Sequence, residues 1–344
     1  MRWLGKVFWA RLVLALLLLA VLAGGALWGV HRDVQRYAAS ILPLSEPLCI
    51  SLERGARLGD VLDDLAPTLA WSELDRWRWR ILARLDGNAG RLRAGEYRLD
   101  PGMTPSGLLR MLASGQGIQH RVTLVEGMTL EDVRDKLAQH PALAQDGFAL
   151  RADALMRALG DSGGIAEGNF MPETYVFSRG DSDLDVLQRA HEAMQETLAQ
   201  LWAERDPGLP LQTPQQALIL ASIVEKETGV AAERARIAGV FMNRLRKGMK
   251  LQTDPTVIYG LGAAFDGDLR RRDLERDTPW NTYTRTGLPP TPIALPSKEA
   301  LRAVMHPEKT TALYFVADGR GGHVFSETLD AHNRAVRRYI SGQN

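Results

Sequence analysis

Cysteine is all but missing from this chain of 344 residues: Cys49 stands alone, so no intrachain disulfide can staple the fold, and thiol usage neither demands nor forbids an oxidising compartment. The seven histidines are scattered, with no HExxH or CxxC spacing, so the sequence predicts no metal site and no cofactor. A GxSxG elbow is lacking, and Cys49 has no histidine nearby, which argues against a serine or cysteine nucleophile. The glycines of 319–322 lack the strand–GxxxxGK[ST]–helix spacing of a phosphate cradle. Charge of one sign is also lacking. Lys and Arg number 42 against 41 Asp and Glu, and once Arg2, Lys6 and Arg11 are set aside the rest of the chain is net negative, a poor trap for a polyanion, so no nucleic-acid partner is expected. No fixed-period repeat supports a solenoid or propeller.

One long apolar run is present. Residues 12–30, LVLALLLLAVLAGGALWGV, carry no charged side chain and approach the roughly 20 residues needed to cross a bilayer core. Arg2, Lys6 and Arg11 precede the run, so the positive-inside rule puts residues 1–11 in the cytoplasm and the remainder outside. Trp3, Trp9 and Trp28 sit where an interfacial belt would hold them. The small residues Ala23 to Ala26 leave a cleaved signal peptide as the alternative, but the apolar stretch runs on to Val30, longer than a usual signal core, which favours an uncleaved anchor.

Residues 31–47, with Pro43 and Pro47, read as a tether. A small module over 48–115 follows: strands at 48–52 and 95–99, helices at 58–66, 72–85 and 104–114. Trp71, Trp77 and Trp79 suit core packing better than sugar stacking. A second domain spans 118–344, so the expected class is α+β: one N-terminal transmembrane helix, the small module, and a mixed α+β catalytic domain.

The chemistry concentrates after Thr213. Thr213, Pro214 and Gln216 open a helix as N-cap, first helical residue and capping-box partner. At about 100° per residue, Glu227 falls amid the apolar arc of Ile219, Leu220, Ile223 and Val224, whereas Glu225 lies about 160° away on the polar side beside Ser222 and Lys226. A carboxyl group on an apolar face loses solvation of its charged form and retains a proton near neutrality, as a general acid must. A frayed last turn or an arginine partner would make Glu227 merely structural. The next helix, 231–247, packs by its apolar stripe with Asn243 and Arg244 on a flank. Asp254 before Pro255 suits the N-cap of a short helix, while Gln252, Tyr259, Asn281 and Tyr283 suit hydrogen bonds to a polyhydroxylated ligand. A β-hairpin over 313–325 and a helix with His332, Asn333 and Tyr339 close the chain.

The blocks Ala221-Ser222-Ile223-Val224-Glu225-Lys226-Glu227-Thr228 and Leu251-Gln252-Thr253-Asp254-Pro255-Thr256-Val257-Ile258-Tyr259-Gly260 resemble the YceG-like family of endolytic murein transglycosylases. So do Asn281-Thr282-Tyr283, Gly287-Leu288-Pro289-Pro290 and Tyr314-Phe315-Val316-Ala317-Asp318-Gly319, in the same order. The resemblance implies that residues 48–115 are a lysin-motif-like module and that Glu227 is the catalytic acid. It implies an inner-membrane enzyme with a periplasmic catalytic domain that cleaves the MurNAc–GlcNAc β-1,4 bond within nascent glycan strands, leaving 1,6-anhydro-MurNAc ends and terminating elongation. Gln252, Asp254, Tyr259, Asn281, Tyr283 and Glu173 would position the sugars, and peptidoglycan synthases are candidate partners. Departures from the family pattern are minor: Glu173 stands where the family can have Asp, and Met171 where it can have an aromatic residue, both bearing on the outer subsites. Two rivals stay open: a hydrolytic muramidase in which Asp254 activates water, and a membrane-tethered scaffold that only binds glycan.

Overall fold

The computed structural model describes residues 2–87, 90 and 92–342, apart from the side chains of 2–8, 10 and 339–342, so Trp3 and Tyr339 lie outside the described side chains. The chain divides into two units, residues 1–120 with 178–180, and residues 121–177 with 181–344. In the first, α1 (Arg2–Ala38) is one continuous helix whose stretch from Arg11 is long and apolar enough to cross a membrane, with its most apolar window wholly unburied. The expected tether at 31–47 is helical over its first eight residues. No helix breaker precedes Pro43, and Val34 and Ala38, four apart and therefore on one face, enter the module's core together with Leu42. Asp33 grips Arg78 through two hydrogen bonds of 2.8 and 3.0 Å.

The module itself runs strand, helix, helix, strand. β1 (Leu48–Leu52) pairs antiparallel with β2 (Gly95–Leu99), Leu48 opposite Leu99, and α2 (Leu58–Leu69) and α3 (Glu73–Leu85) lie between them in sequence. α2 passes the stop expected before Pro67 because Leu69 is needed in the core and Ala70, in the left-handed region at φ 50°, closes the helix onto the Ala66 carbonyl. Ser72 and Asp75 form the capping box of α3. α4 (Pro105–Ser114) begins at the Thr104 cap and ends at Gly115, whose φ of 72° is cheap only for glycine. Trp79 is buried against Trp71, with ring centres 5.2 Å apart, whereas Trp77 is exposed.

β3 (Gln119–Thr123) pairs with β4 (Thr174–Ser178), and in the second unit α5 (Leu130–Ala138), α6 (Ala152–Ala158) and the first half of α7 (Asp183–Glu204) bury one core around Val133, Leu155, Phe170 and Val186. A second core surrounds α8 (Pro214–Glu227), which packs against α7, α9 (Arg234–Arg246), α10 (Asp254–Leu261) and α12 (Lys298–Met305). α11 (Arg271–Glu275) is a single exposed turn; β5 (Tyr314–Ala317) and β6 (His323–Ser326) form an antiparallel hairpin, and α13 (Leu329–Gly342) packs on it. Every sheet among the described residues is two-stranded, which makes the class α+β.

All side chains from Ala217 to Val224 are buried, so α8 is a central helix rather than one with a wet face. Thr213 caps it as expected by accepting from the Gln216 N–H at 3.2 Å, but Gln216 reaches the backbone of Gln212 instead of closing the box on Thr213. Ser222 can be buried because its hydroxyl donates to the Ile219 carbonyl and accepts the Ile293 N–H, which satisfies that hydroxyl.

Candidate active site

α8 stops at Glu227 because Thr228 turns extended, at φ −145° and ψ 131°. The helix therefore emerges from the core with a carboxyl on its last residue, where the negative end of the helix dipole also disfavours a second negative charge. Burial pushes the Glu227 carboxyl up from 4.5 to about 7, and the charge of Asp254 adds to the rise. A hydrogen bond from the Thr253 hydroxyl, together with His323 and Arg244, pulls the other way. Glu227 thus holds a proton near neutrality while facing an open cavity of about 560 Å³, within the roughly 300–1,000 Å³ typical of ligand sites.

Gln252, Asp254 and Tyr283 line that cavity. Gln252 sits at φ 48°, a conformation that is costly for a residue with a side chain; its N–H is tied to the Thr282 carbonyl, and its side-chain oxygen lies 3.5 Å from Arg244. Asp254 is not the N-cap. It is the first residue of α10, exposed, accepting the Tyr283 hydroxyl at 2.6 Å. Thr253 occupies the cap position, yet its hydroxyl is used on Glu227 rather than on the helix.

The other three predicted residues lie elsewhere. Asn281 is fully buried: its amide NH₂ donates to the carbonyls of Leu274 and Arg276 at 3.0 and 2.7 Å, and its oxygen accepts the Tyr283 N–H. Direct contact with a sugar is thereby replaced by a role in holding Tyr283. Tyr259 packs against Trp280 and donates to Glu167, 2.9 Å away, a buried carboxyl that also accepts the Leu130 N–H and is pushed up to about 7 by burial. Glu173 is exposed beside a second cavity, of about 400 Å³, with Arg234 and Lys298. A larger cavity of about 740 Å³, between Asp206, Arg236 and Lys309, contains none of the predicted site residues.

The outward orientation expected of Glu225 is wrong. Its side chain is 5% exposed, accepts from the Ser297 N–H and hydroxyl, and lies 3.8 Å from Arg234. The helical wheel separates the faces of α8, but both are covered by neighbours. Two cavity residues, Arg244 and His323, and the buried Thr253 behind Glu227 escaped the sequence reading. Arg244 is a buried cation whose Nε and Nη1 donate to the carbonyls of Leu313 and Leu251 at 2.6 and 2.7 Å, stitching two loops around the cavity. Thr253 carried no role in the sequence reading, which gave the cap to Asp254. His323 was dismissed for want of zinc spacing, although a histidine beside a Gly-rich turn was the available clue.

An α+β protein with one apolar N-terminal helix, and a proton-holding carboxyl in an open polar cavity, has the build of an anchored acid catalyst. The chain belongs to the YceG-like family, whose profile matches residues 50–338. It is 33% identical over 273 residues to an endolytic murein transglycosylase of Bacillus subtilis, covering 74% of this chain and 75% of that one. A Streptococcus pneumoniae protein of the same name is 28% identical over 290 residues, and the chain spans about half of its length, 51%. The crystal structure of a YceG-like protein from Listeria monocytogenes superimposes with a TM-score of 0.54 at 27% identity, covering 85% of this chain and 99% of the other.

Proposed function

We propose that this protein is an endolytic peptidoglycan lytic transglycosylase with Glu227 as its acid. The observation that carries the reading is the Glu227 carboxyl, raised to about 7 and open to a polar cavity. The protonated carboxyl gives its proton to the glycosidic oxygen of the departing GlcNAc. The C6 hydroxyl of the muramoyl residue attacks C1, the C1–O bond breaks, and the hydroxyl proton returns to the carboxylate, leaving a 1,6-anhydro ring. No water is consumed. A hydrolase would need a second carboxylate to act on water or on the sugar. Gln252, Asp254 and Tyr283 bind the sugars, Asn281 and Tyr259 support the walls, and Glu173 serves an outer subsite.

The rest of the assignment follows from the chain's order. Residues 48–115 form a lysin-motif-like module and 118–344 the catalytic domain. The apolar helix holds the protein in the inner membrane, with Arg2, Lys6 and Arg11 on the cytoplasmic side and the catalytic domain in the periplasm. Cleavage within nascent strands ends their elongation, and peptidoglycan synthases would be its neighbours. Full-length protein in detergent, incubated with purified sacculi, tests the reading by product mass. Anhydro ends, one water lighter than hydrolysed ends and lost in Glu227→Gln, are expected. Hydrolysed ends would favour a muramidase in which Asp254, in the same cavity, activates water; no product from folded protein would favour a glycan-binding scaffold.

A further inference from the structure

The cavity that holds Glu227 contains a second group suited to proton transfer. Glu233 ends the 3-10 turn Ala231–Glu233, and its two carboxylate oxygens take both the backbone N–H of His323, at 3.0 Å, and the ring Nδ1, at 2.7 Å. A carboxylate only accepts, so Nδ1 carries a proton, and in the neutral ring Nε2 is the nitrogen with the lone pair. Among the described residues Nε2 has no hydrogen-bond partner. The ring is held edge-on against Phe315, centres 5.5 Å apart, and lines the cavity with Glu227. Gly322 makes the grip possible, since a Cβ there would stand 3.0 Å from the Glu233 carboxylate. A histidine needed only to pin the hairpin β5–β6 would not have to line the cavity as well.

We propose that His323, with Glu233 behind it, is the base of the reaction: Nε2 takes the C6 hydroxyl proton as O6 bonds to C1, while the Glu227 carboxyl protonates the departing oxygen. The inference rests on the transglycosylase reading and replaces only the return of the proton to Glu227. One proton leaves Glu227 and one arrives at His323, so transfer from the imidazolium to the Glu227 carboxylate, through the cavity, restores the starting state. The carboxylate-oriented imidazole does here what the same pair does in serine hydrolases, with a sugar hydroxyl in place of serine.

Full-length His323→Ala in detergent, assayed on glycan strands, is expected to lose at least about 10²-fold in kcat at unchanged KM. Added imidazole is expected to restore at least tenfold of this, with anhydro products, and to do nothing for Glu227→Gln. A folded His323→Ala that is not rescued, or that retains activity within a few-fold of wild type, overturns the proposal. If that variant does not fold, His323→Gln, which fills the space without a basic nitrogen, decides: wild-type kcat overturns the proposal and a loss of about 10²-fold supports it. Cleavage surviving in Glu227→Gln, or hydrolysed wild-type products, would refute the transglycosylase reading itself.

Discussion

Replacing Glu227 by Gln is expected to stabilise the protein at alkaline pH while abolishing its activity. The carboxyl is raised from 4.5 to about 7 in the folded protein. Below pH 4.5 folded and unfolded chains both carry the proton, and no difference arises. Between 4.5 and 7 the unfolded chain ionises and the folded one does not, so stability falls as pH rises; above about 7 the folded chain bears the whole cost of a buried charge. At 1.36 kcal/mol per pH unit that cost is roughly 3 kcal/mol. Gln has the shape of the protonated acid, can still accept the Thr253 hydroxyl, and never ionises. Urea denaturation of both proteins at pH 4.5 and 8.5 is the assay. Equal stability is expected at the lower pH, with the Gln variant ahead by up to about 3 kcal/mol at the higher. Glu167, which is also raised to about 7, is common to both proteins and cancels. Cleavage should fall by about 10²–10⁴-fold at every pH. A stability gap that does not change with pH, or a Gln variant that is weaker at pH 8.5, would refute the argument that burial keeps this carboxyl protonated.

Two neighbours should move the alkaline limb of the rate profile in opposite directions. Asp254→Asn removes a charge that raises the Glu227 carboxyl, so activity should be lost at lower pH than in wild type; Thr253→Val removes a hydrogen bond that lowers it, so activity should persist to higher pH. pH–rate profiles check both, and shifts of the same sign would contradict the assignment. Tyr259→Phe strips a donor from Glu167 and should cost about 1–3 kcal/mol, more above pH 7 than below because the ionised carboxylate is the form left unsatisfied, as parallel denaturation curves would show. Glu225→Ala leaves the Ser297 donors without their acceptor and Arg234 without its counter-charge, and should destabilise by about 1–3 kcal/mol while folded enzyme keeps its rate. Lys226→Gln, on an exposed side chain of the same helix, should change neither stability nor cleavage by much.

What the sequence alone determined is whatever depends on residues close to one another along the chain. The apolar run of α1, the Ser72 and Thr104 caps, the Gly115 stop, the Thr213–Pro214 start of α8 and the hairpin around 319–322 are all decided within a few positions by sterics and local hydrogen bonds. The same locality picked out Glu227, because a carboxyl on the apolar arc at the end of a helix needs no partner to be identified. Tertiary structure decided how many sides of α8 are covered, and so buried Glu225 as well. It sent the Thr253 hydroxyl to a carboxyl 26 positions away instead of to its own helix, drew Tyr259 to Glu167 and used Asn281 up on backbone carbonyls. It also set Arg244 among the carbonyls of Leu251 and Leu313, and joined Glu233 to His323 across 90 residues. A side chain's partner is chosen by which elements pack together, and the burial free energy that drives that packing is a sum over the whole core, not a property of any one segment.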